Sequence, residues 1–316
     1  MNYFVDMNLG SAVTGIEKAQ FNRMHLFQTA GMPATLVYLA YGPRLHEHLK
    51  KFGFQGVGFS MYDYFQESRL YQDVGHFDWR HYWQMTCHYR LRDVPDTNDV
   101  RVDNEDGQFL LYAHFLDKDY SQVDYINYFD HDHNKIRRDV YDSRGFLSRT
   151  SLLAENNQVN TELYYSPDQQ VKMIKQCKQV DGKSVLRSVT LKNYGQRDYY
   201  FNDETELQTF FVNELAQDGD IFFSDRNGKM APALDRTRPD IKICPVFHST
   251  HVRVGQDIVT GALKHGIYDY ILAHPERFNG IVVSTEQQRT DLLARFSNLP
   301  PITTIPVAVS YTHLTL

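Results

Sequence analysis

Residues 3–17, "YFVDMNLGSAVTGIE", decide the fold of the amino-terminal part of the chain. A short apolar strand leads into a glycine-bearing loop, and Thr14 and Glu17 then stand three residues apart, as a capping box requires. This spacing predicts that a helix begins near Gly15. A second apolar run, "ATLVYL" at residues 34–39, follows the helix. We therefore predict a βαβ unit and a parallel sheet.

Residues 76–195 show a different pattern. Turn signals recur there as "DHDHNK", "DSRG", "ENNQ", "SPDQ" and "DGKS", and short strand-like runs lie between them. Strands separated by frequent turns are typical of an antiparallel meander. We predict an inserted antiparallel β domain at 76–195, between residues 1–75 and 196–308 of one α/β domain.

The pattern after residue 196 returns to alternating strands and helices. "GDIFFSD", "IKICPVFHS" and "GIVVST" are typical of buried strands, while "IYDYILAH" fits either a helix or a strand. "TEQQRTDLLARF" predicts a helix capped by Thr285, with Leu292, Leu293 and Phe296 on its inner face.

Composition narrows the class of protein. Of the 316 residues, 42% are hydrophobic and 23% charged, as in globular proteins, and the net charge is −6. A net negative charge argues against nucleic-acid binding, which needs a basic face. The three cysteines form no CxxC motif, and there is no signal-like leader or long apolar run, so we expect a cytoplasmic protein.

The last residues, 309–316, have the sequence "VSYTHLTL". This segment resembles a translated sequencing-library adapter, and we interpret it as a non-native tail, with a short natural terminus as the alternative. His313 is therefore excluded from the candidate site.

The segment "FHSTH" places His248 and His251 directly after an apolar strand. The carboxyl ends of parallel strands face the ligand crevice of such folds, so the pair could contact sugar hydroxyls or a phosphate. A structural role and a metal site are the alternatives. A zinc site needs further ligands and usually a different context, and we predict none.

The loop from Gly10 to Gly15 precedes a helix N-terminus, which favours anions. The alternative is that these glycines serve the backbone alone. "DHDH" at 130–133 is interpreted as a hairpin turn. Glu206 and Glu214 stand eight residues apart, a spacing known from retaining glycosyltransferases, but we interpret it as coincidence.

Seven basic residues lie between positions 172 and 197. On alternating strands they could line one face and hold a polyanion. The alternative is a set of solvated lysines that keep a sheet edge from aggregating. The seven are Lys172, Lys175, Lys178, Lys183, Arg187, Lys192 and Arg197.

Five segments in order carry a resemblance to a known family: "NLGSAVTGIEKAQFNRMHLF", "MYDYFQES", "INYFD…YDSRGFLS", "FHSTHV" and "NGIVVSTEQQRTDL". The chain resembles the bacterial poly(glycerol-phosphate) and poly(ribitol-phosphate) α-glycosyltransferases. It is similar also to the enzymes that start O-glycosylation of serine-rich adhesins.

The resemblance implies the Rossmann-like amino-terminal lobe of a GT-B fold, with an inserted antiparallel β domain. It implies retaining transfer of a hexose from a UDP-sugar to a hydroxyl of a teichoic acid, without metal or other cofactor. It also implies a homo-oligomer, often a trimer, formed through the inserted domain, and we include peripheral association with the inner membrane face. The alternative is an enzyme or a non-catalytic stabilising subunit for adhesin O-glycosylation.

The resemblance also assigns site residues. The glycine turn, with Thr14, Gly15 and Ile16, lies beside donor and acceptor in the family. The family's cleft histidine corresponds to one of the pair, and we favour His251 and keep His248 as the alternative. Four of the basic side chains would steer the polyol phosphate: Lys172, Lys175, Lys178 and Arg187.

One departure from the family pattern concerns the donor. The family binds the nucleotide mainly through its second lobe, with an Arg/Lys pair and two glutamates that this chain does not contain. We therefore expect the second lobe and most of the donor site to be missing, and no turnover by the chain alone.

Overall fold

The computed structural model describes residues 1–72 and 75–306, and the chain divides into two compact units. The first contains residues 1–41, 48–61 and the chain from 205 onward; the second contains 42–47 and 62–204. The predicted non-native tail and His313 lie outside the described residues.

The second unit is wider than the predicted insertion at 76–195. Tyr62 and Glu204, on either side of that segment, both bond to Lys175 of the antiparallel sheet. Asp63 likewise accepts a 2.7 Å bond from the buried Arg144. These contacts attach the flanking residues to the sheet, which the turn pattern alone does not reveal.

The chain opens with the elements of the predicted βαβ unit and one further strand. Thr14 caps helix α1 in a capping box with Glu17, so the predicted helix start at Gly15 is confirmed. The elements are β1 (Asn2–Asp6), α1 (Gly15–Thr29), β2 (Ala34–Tyr38), α2 (Leu45–Lys51), β3 (Gly58–Ser60) and α3 (Met61–Phe65).

The middle of the chain is the predicted meander. Each of ten strands pairs antiparallel with the next along the chain. A short helix α4 (Trp79–His81) and a π-helical turn (Tyr82–Thr86) precede the strands, and a 3₁₀ turn (Glu155–Asn157) interrupts them. The strands are β4 (Arg90–Asp93), β5 (Asp99–Asp103), β6 (Phe109–Phe115), β7 (Val123–Phe129), β8 (Lys135–Tyr141), β9 (Leu147–Leu153), β10 (Val159–Tyr165), β11 (Val171–Val180), β12 (Lys183–Tyr194) and β13 (Arg197–Phe201).

Local turn chemistry explains much of this register. Asp181 and Gly182 both have positive φ, 50° and 72°, as a two-residue hairpin between β11 and β12 requires. In the turn at 130–133, Asp130 accepts bonds from the backbone N–H groups of Asp132 and Asn134. The interpretation of "DHDH" as a local turn is therefore confirmed.

The core of the second unit forms around Trp83, Val100, Phe115 and Ile126, among other apolar residues.

The last part of the chain returns to the first unit. Its elements are α5 (Glu204–Leu215), β14 (Ile221–Ser224), α6 (Asn227–Asp235), β15 (Lys242–Phe247), α7 (Asp269–Ala273), a 3₁₀ turn (Pro275–Arg277), β16 (Ile281–Val283), α8 (Glu286–Arg295) and β17 (Ile302–Thr304). The ambiguous "IYDYILAH" thus contains a helix. Glu206 and Glu214 both lie on α5.

The first unit is a seven-stranded sheet in the order β17-β16-β15-β14-β1-β2-β3, and every pair is parallel. From β1 the chain builds outward through β2 to β3, and from β14 it builds in the opposite direction. The strand order therefore reverses between β1 and β14. Ligands of doubly wound sheets bind in the crevice at such a reversal.

The prediction for one residue of the last helix is wrong. Thr285 caps α8 as expected, and Leu292 is fully buried. Leu293, however, is 51% exposed. Neighbouring residues of a helix are about 100° apart around its axis, so only one of the two leucines faces the sheet.

Among the described residues, no helix has both the length and the apolar composition needed to cross a bilayer.

Candidate functional site

Three side chains meet where the order of the parallel strands reverses. Asp6 ends β1, Asp225 directly follows β14, and His248 directly follows β15. The register aligns Val5 with Ser224, and Ser224 in turn with the third strand, so the three strands end at the same edge. This edge is where the sheet topology predicts a ligand.

Asp225 is the centre of a buried polar network. Its Oδ1 accepts bonds from Arg23 Nη2 at 2.6 Å and from His248 Nε2 at 2.9 Å, and its Oδ2 accepts from Gln20 Nε2 at 3.2 Å. Burial opposes ionisation of this carboxyl, but Arg23 and His248 outweigh it and hold the pKa of Asp225 below its usual value. Asp225 is therefore a carboxylate, and it anchors α1 to the ends of β14 and β15.

A second network lies beside it and reaches the helix N-terminus. Arg226 Nε lies 2.9 Å from Asp6 Oδ1, and its guanidinium also contacts Glu17. Burial, reinforced by the nearby carboxylate of Asp225, raises the pKa of Asp6 to about 7, although a bond from the Met7 N–H and the charge of Arg226 oppose it. The side chains of Asp6, Glu17 and Arg226 thus hold the glycine turn against the end of β14.

The glycine turn is open in front of the helix. Thr14 Oγ1 and its N–H both bond Glu17, the latter at 2.7 Å, and Ile16 N–H bonds Thr14 Oγ1 at 3.3 Å. Burial opposes ionisation of Glu17, but these hydrogen bonds and the contact with Arg226 hold its pKa below the usual value. A Cβ added at Gly15 would meet nothing within 4 Å. Space is therefore available beside the positive end of the α1 dipole.

His248 faces a small cavity of about 30 Å³. The rest of its wall is formed by Arg23, Asn22, Ser284, apolar side chains of α1, β15 and β16, and the two residues that follow β17, Ile305 and Pro306. Arg23 Nη1 is buried and has no hydrogen-bond partner among the described residues. The volume is enough for a water molecule, and the wall supplies donors to hold it.

The two histidines of "FHSTH" have different surroundings. His251 is 1% exposed, its Nε2 lies 3.1 Å from the Ile258 carbonyl oxygen, and its ring meets the edge of Phe296. Burial lowers the pKa of His251. His251 does not line the cavity that His248 faces. Its contacts instead hold the loop that follows β15, whereas His248 belongs to the Asp225 network.

No protein-family model matches the chain. The chain is 21% identical over 319 residues to the UDP-N-acetylglucosamine–peptide N-acetylglucosaminyltransferase GtfA subunit of Streptococcus parasanguinis, spanning 96% of this chain and 60% of that protein. It is 24% identical over 307 residues to the poly(ribitol-phosphate) alpha-N-acetylglucosaminyltransferase of Staphylococcus aureus, spanning 94% and 58%.

Solved structures of such proteins share the fold of this chain. Pneumococcal O-GlcNAc transferase GtfA, in complex with UDP and GlcNAc, superimposes with a TM-score of 0.80 at 17% identity, over 97% of this chain and 60% of that one. Staphylococcus aureus TarM gives 0.73 at 19% identity, over 98% and 62%. The chain is related to these glycosyltransferases. Its fold is the expected Rossmann-like lobe of a GT-B protein with an inserted antiparallel sheet, and it spans about 60% of the length of the relatives.

The basic residues of this GT-B lobe's inserted sheet differ in exposure. Lys172 and Lys175 are buried, and their Nζ atoms pair with Glu67 at 2.8 Å and Glu204 at 2.6 Å. Lys178 and Arg187 are exposed. Lys172 and Lys175 therefore serve the packing of the second unit, whereas Lys178 and Arg187 present charge to solvent.

Sequence reasoning missed the acidic residues of the site. Each of the two strands that meet at the reversal has an Asp at or directly after its end, in "YFVD" and "FFSD", and this shared pattern was an available signal for Asp6 and Asp225. Arg23 and Arg226 carried no such signal, because their partners are far away in sequence. Within residues 1–72 and 75–306, no three His, Cys, Asp or Glu side chains are arranged to hold a metal ion.

Proposed function

We propose that the chain supplies the acceptor-side lobe of a retaining glycosyltransferase, which transfers a hexose, such as N-acetylglucosamine, from a UDP-sugar to a hydroxyl of a polyol-phosphate polymer. The observation that supports it best is a continuous set of contacts at the strand-order reversal. Thr14 contacts Glu17, Glu17 contacts Arg226, and the adjacent Asp225 bonds His248. The glycine turn and the histidine therefore belong to one edge, as a shared sugar site requires.

In this proposal the residues have distinct roles. The open space at Gly15, between Thr14 and Ile16, receives the donor's sugar and diphosphate beside the helix N-terminus. His248 contacts the transferred sugar or the acceptor hydroxyl, because it is the histidine that lines a cavity at the sheet edge. His251 shapes the loop behind it through its bond to Ile258. Such enzymes act by holding two substrates together and stabilising the departing group, and no metal is part of the proposal.

The exposed cations of the second unit give the polymer a surface. Lys178 and Arg187 lie on neighbouring strands β11 and β12, and Lys183 stands at the hairpin between them. Spaced cations on an exposed hairpin suit a chain of phosphodiesters, whose charges repeat along the polymer. Lys172 and Lys175 take no part in this surface because each has a carboxylate partner.

A peptide acceptor is the second candidate. The structural match to pneumococcal GtfA, with a TM-score of 0.80, is higher than the match to TarM, with 0.73. A stabilising role beside a partner subunit is part of this candidate, since one neighbouring structure is a GtfA/B complex.

The proposal also includes self-association through the second unit, as a trimer, and a location at the cytoplasmic face of the membrane. Light scattering coupled to gel filtration measures the first.

The test compares acceptors and residues. The longest polypeptide that the gene encodes is assayed for transfer from UDP-N-acetylglucosamine and UDP-glucose to poly(ribitol phosphate), poly(glycerol phosphate) and a serine-rich peptide. His248→Ala should reduce transfer at least about 100-fold, the lower end for a group acting on the reacting atoms. Full activity of His248→Ala would refute the assigned site, and transfer to peptide alone would favour the second candidate.

Binding to the present chain tests the basic surface separately. A glycerol-phosphate oligomer is titrated into the chain and into the variants Lys178→Ala/Arg187→Ala and Lys172→Ala. The double variant should weaken binding and flatten its salt dependence, because fewer counterions are released. Equal loss in a folded Lys172→Ala would contradict the distinction between exposed and paired lysines.

A further inference from the structure

The network around Asp225 decides which ring nitrogen of His248 carries the proton. Asp225 Oδ1 accepts two bonds, from Arg23 Nη2 at 2.6 Å and from His248 Nε2 at 2.9 Å. A carboxylate oxygen has two lone pairs, so these two donors saturate it. The positive charge of the Arg23 guanidinium stabilises the ionised form of the neighbouring Asp225 carboxyl. An ionised carboxylate only accepts hydrogen bonds, so the proton of that contact belongs to His248 Nε2.

The main chain at His248 is held from the other side. Its backbone N–H donates to the hydroxyl of Tyr268 at 2.9 Å, and the Tyr268 ring stacks on Phe247 with 4.0 Å between ring centroids. The backbone of the histidine and its Nε2 are thus both fixed. Rotation of the ring would break the bond to Asp225, which lies on the neighbouring strand end.

The other ring nitrogen has no such partner. In the part of the chain that the structure describes, the ring of His248 makes its hydrogen bond only through Nε2. The side chain is 12% exposed and lines the cavity beside Arg23 and Ser284. When the proton is on Nε2, the neutral ring carries its lone pair on Nδ1. A hydroxyl group is the kind of ligand that such a nitrogen binds.

We propose that Asp225 is a positioning residue that fixes His248 as the Nε2–H tautomer and leaves Nδ1 to accept a hydrogen bond from a hydroxyl of the sugar or of the acceptor. The role of His248 rests on the proposed function, but the tautomer does not. Arg23 completes the arrangement by keeping Asp225 charged, and Gln20 holds the second carboxylate oxygen. His248 is the residue that would touch substrate; Asp225 acts through it.

The direct test is a nitrogen NMR measurement on the ¹⁵N-labelled chain at pH 8. The long-range proton–nitrogen spectrum distinguishes a protonated from an unprotonated ring nitrogen, and the His248 signals are assigned by their loss in His248→Gln. We expect Nε2 protonated and Nδ1 unprotonated, in about tenfold excess or more over the other tautomer, because a bond to a charged acceptor sets the preference. An Nδ1–H majority, or an even mixture, in the wild-type spectrum would overturn the proposal; the folded His248→Gln serves only to assign the signals.

Variants separate positioning from packing. Asp225→Asn removes the charge while keeping the shape, and we expect the tautomer preference to fall at least several-fold, because an amide can either donate or accept. The matched control is Asp269→Asn, beside the exposed His265, where the carboxylate lies 2.8 Å from a ring nitrogen. This control should leave the His248 signals unchanged. An unchanged His248 tautomer in a folded Asp225→Asn would overturn the positioning role.

The two proposals fail separately. Absence of sugar transfer by the longest gene product, with the Nε2–H tautomer present, would refute the function and leave the positioning intact. Active transfer with the opposite tautomer would refute the positioning and leave the function. In an active protein, Asp225→Asn should lower kcat more than it raises KM, because positioning of His248 matters most in the transition state.

Discussion

The guanidinium of Arg23 lies 2.6 Å from the carboxylate of Asp225, although 202 residues separate them in sequence. The arginine lies on α1, before the inserted sheet, and the aspartate follows β14, after it. Both side chains are buried, at 6% and 0% exposure. This pair therefore joins the two parts of the interrupted sheet domain, and the histidine of the site bonds to the same carboxylate oxygen.

Arg23→Met should destabilise the first unit by about 3–5 kcal/mol, because it leaves a buried carboxylate without its cation. Urea unfolding followed by circular dichroism measures the loss. The matched control is Arg289→Met, which removes an exposed arginine 3.3 Å from Glu286 and should change stability little. Equal effects of the two variants would show that the Arg23 pair is not the stabilising contact.

Lys175→Met should destabilise the second unit, whereas Lys178→Met should not. Lys175 Nζ bonds both Tyr62 and Glu204 in a buried cluster, and Lys178 on the same strand is exposed. We expect a loss of about 1–3 kcal/mol for the first. Both tryptophans, Trp79 and Trp83, lie in the second unit, so tryptophan fluorescence reports its unfolding. Equal unfolding midpoints for Lys175→Met and Lys178→Met would contradict the stabilising role of the Lys175 contacts.

Asp6 gives the first unit a pH dependence of unusual sign. The folded pKa of about 7 lies above the ordinary value of 3.8, so the folded state holds this proton more tightly than the unfolded state. The contribution of Asp6 to stability is therefore full below pH 4 and is lost as pH rises from 4 to 7. Relative to the wild type, the free energy of unfolding of Asp6→Asn should therefore rise by an amount on the order of 3 kcal/mol between pH 4 and pH 7. A constant difference between the two proteins would contradict the raised pKa.

His251 should affect the stability of the first unit at mildly acidic pH, with a sign opposite to that of Asp6. Burial lowers its pKa from 6.5 in the folded state, so the unfolded state binds the proton more readily. Wild type should lose stability as pH falls below about 6.5, and His251→Gln should lack that part of the loss. Thermal unfolding from pH 7.5 to 5 checks this, with the exposed His25→Gln as control. Parallel curves for wild type and His251→Gln would refute it.

Where short-range chemistry acts, the sequence was sufficient. The capping box of Thr14 and Glu17, the Thr285 cap and the Asp181–Gly182 hairpin turn each depend on residues a few positions apart. The alternation of strands and helices then indicated a parallel sheet, and frequent turns indicated an antiparallel one. The five ordered motifs indicated the GT-B lobe.

Where partners are distant, the sequence was not sufficient. The exposure of Lys172 and Lys175 depends on Glu67 and Glu204, and strand periodicity does not reveal that these carboxylates are within reach. The helix leucines differ for a related reason: Leu292 and Leu293 are equally apolar, and only the direction of α8 over the sheet decides which is buried.

By itself, the sequence determined the helices and strands and their order along the chain, because caps, turns and periodicity act between near neighbours, and its ordered motifs indicated the GT-B lobe. Only the tertiary structure decided which histidine of "FHSTH" lines the cavity, which aspartate bonds to it and which lysines are exposed to solvent. Those outcomes follow from burial and from ion pairs formed across long stretches of chain, and such contacts exist only after the parallel strands have assembled side by side.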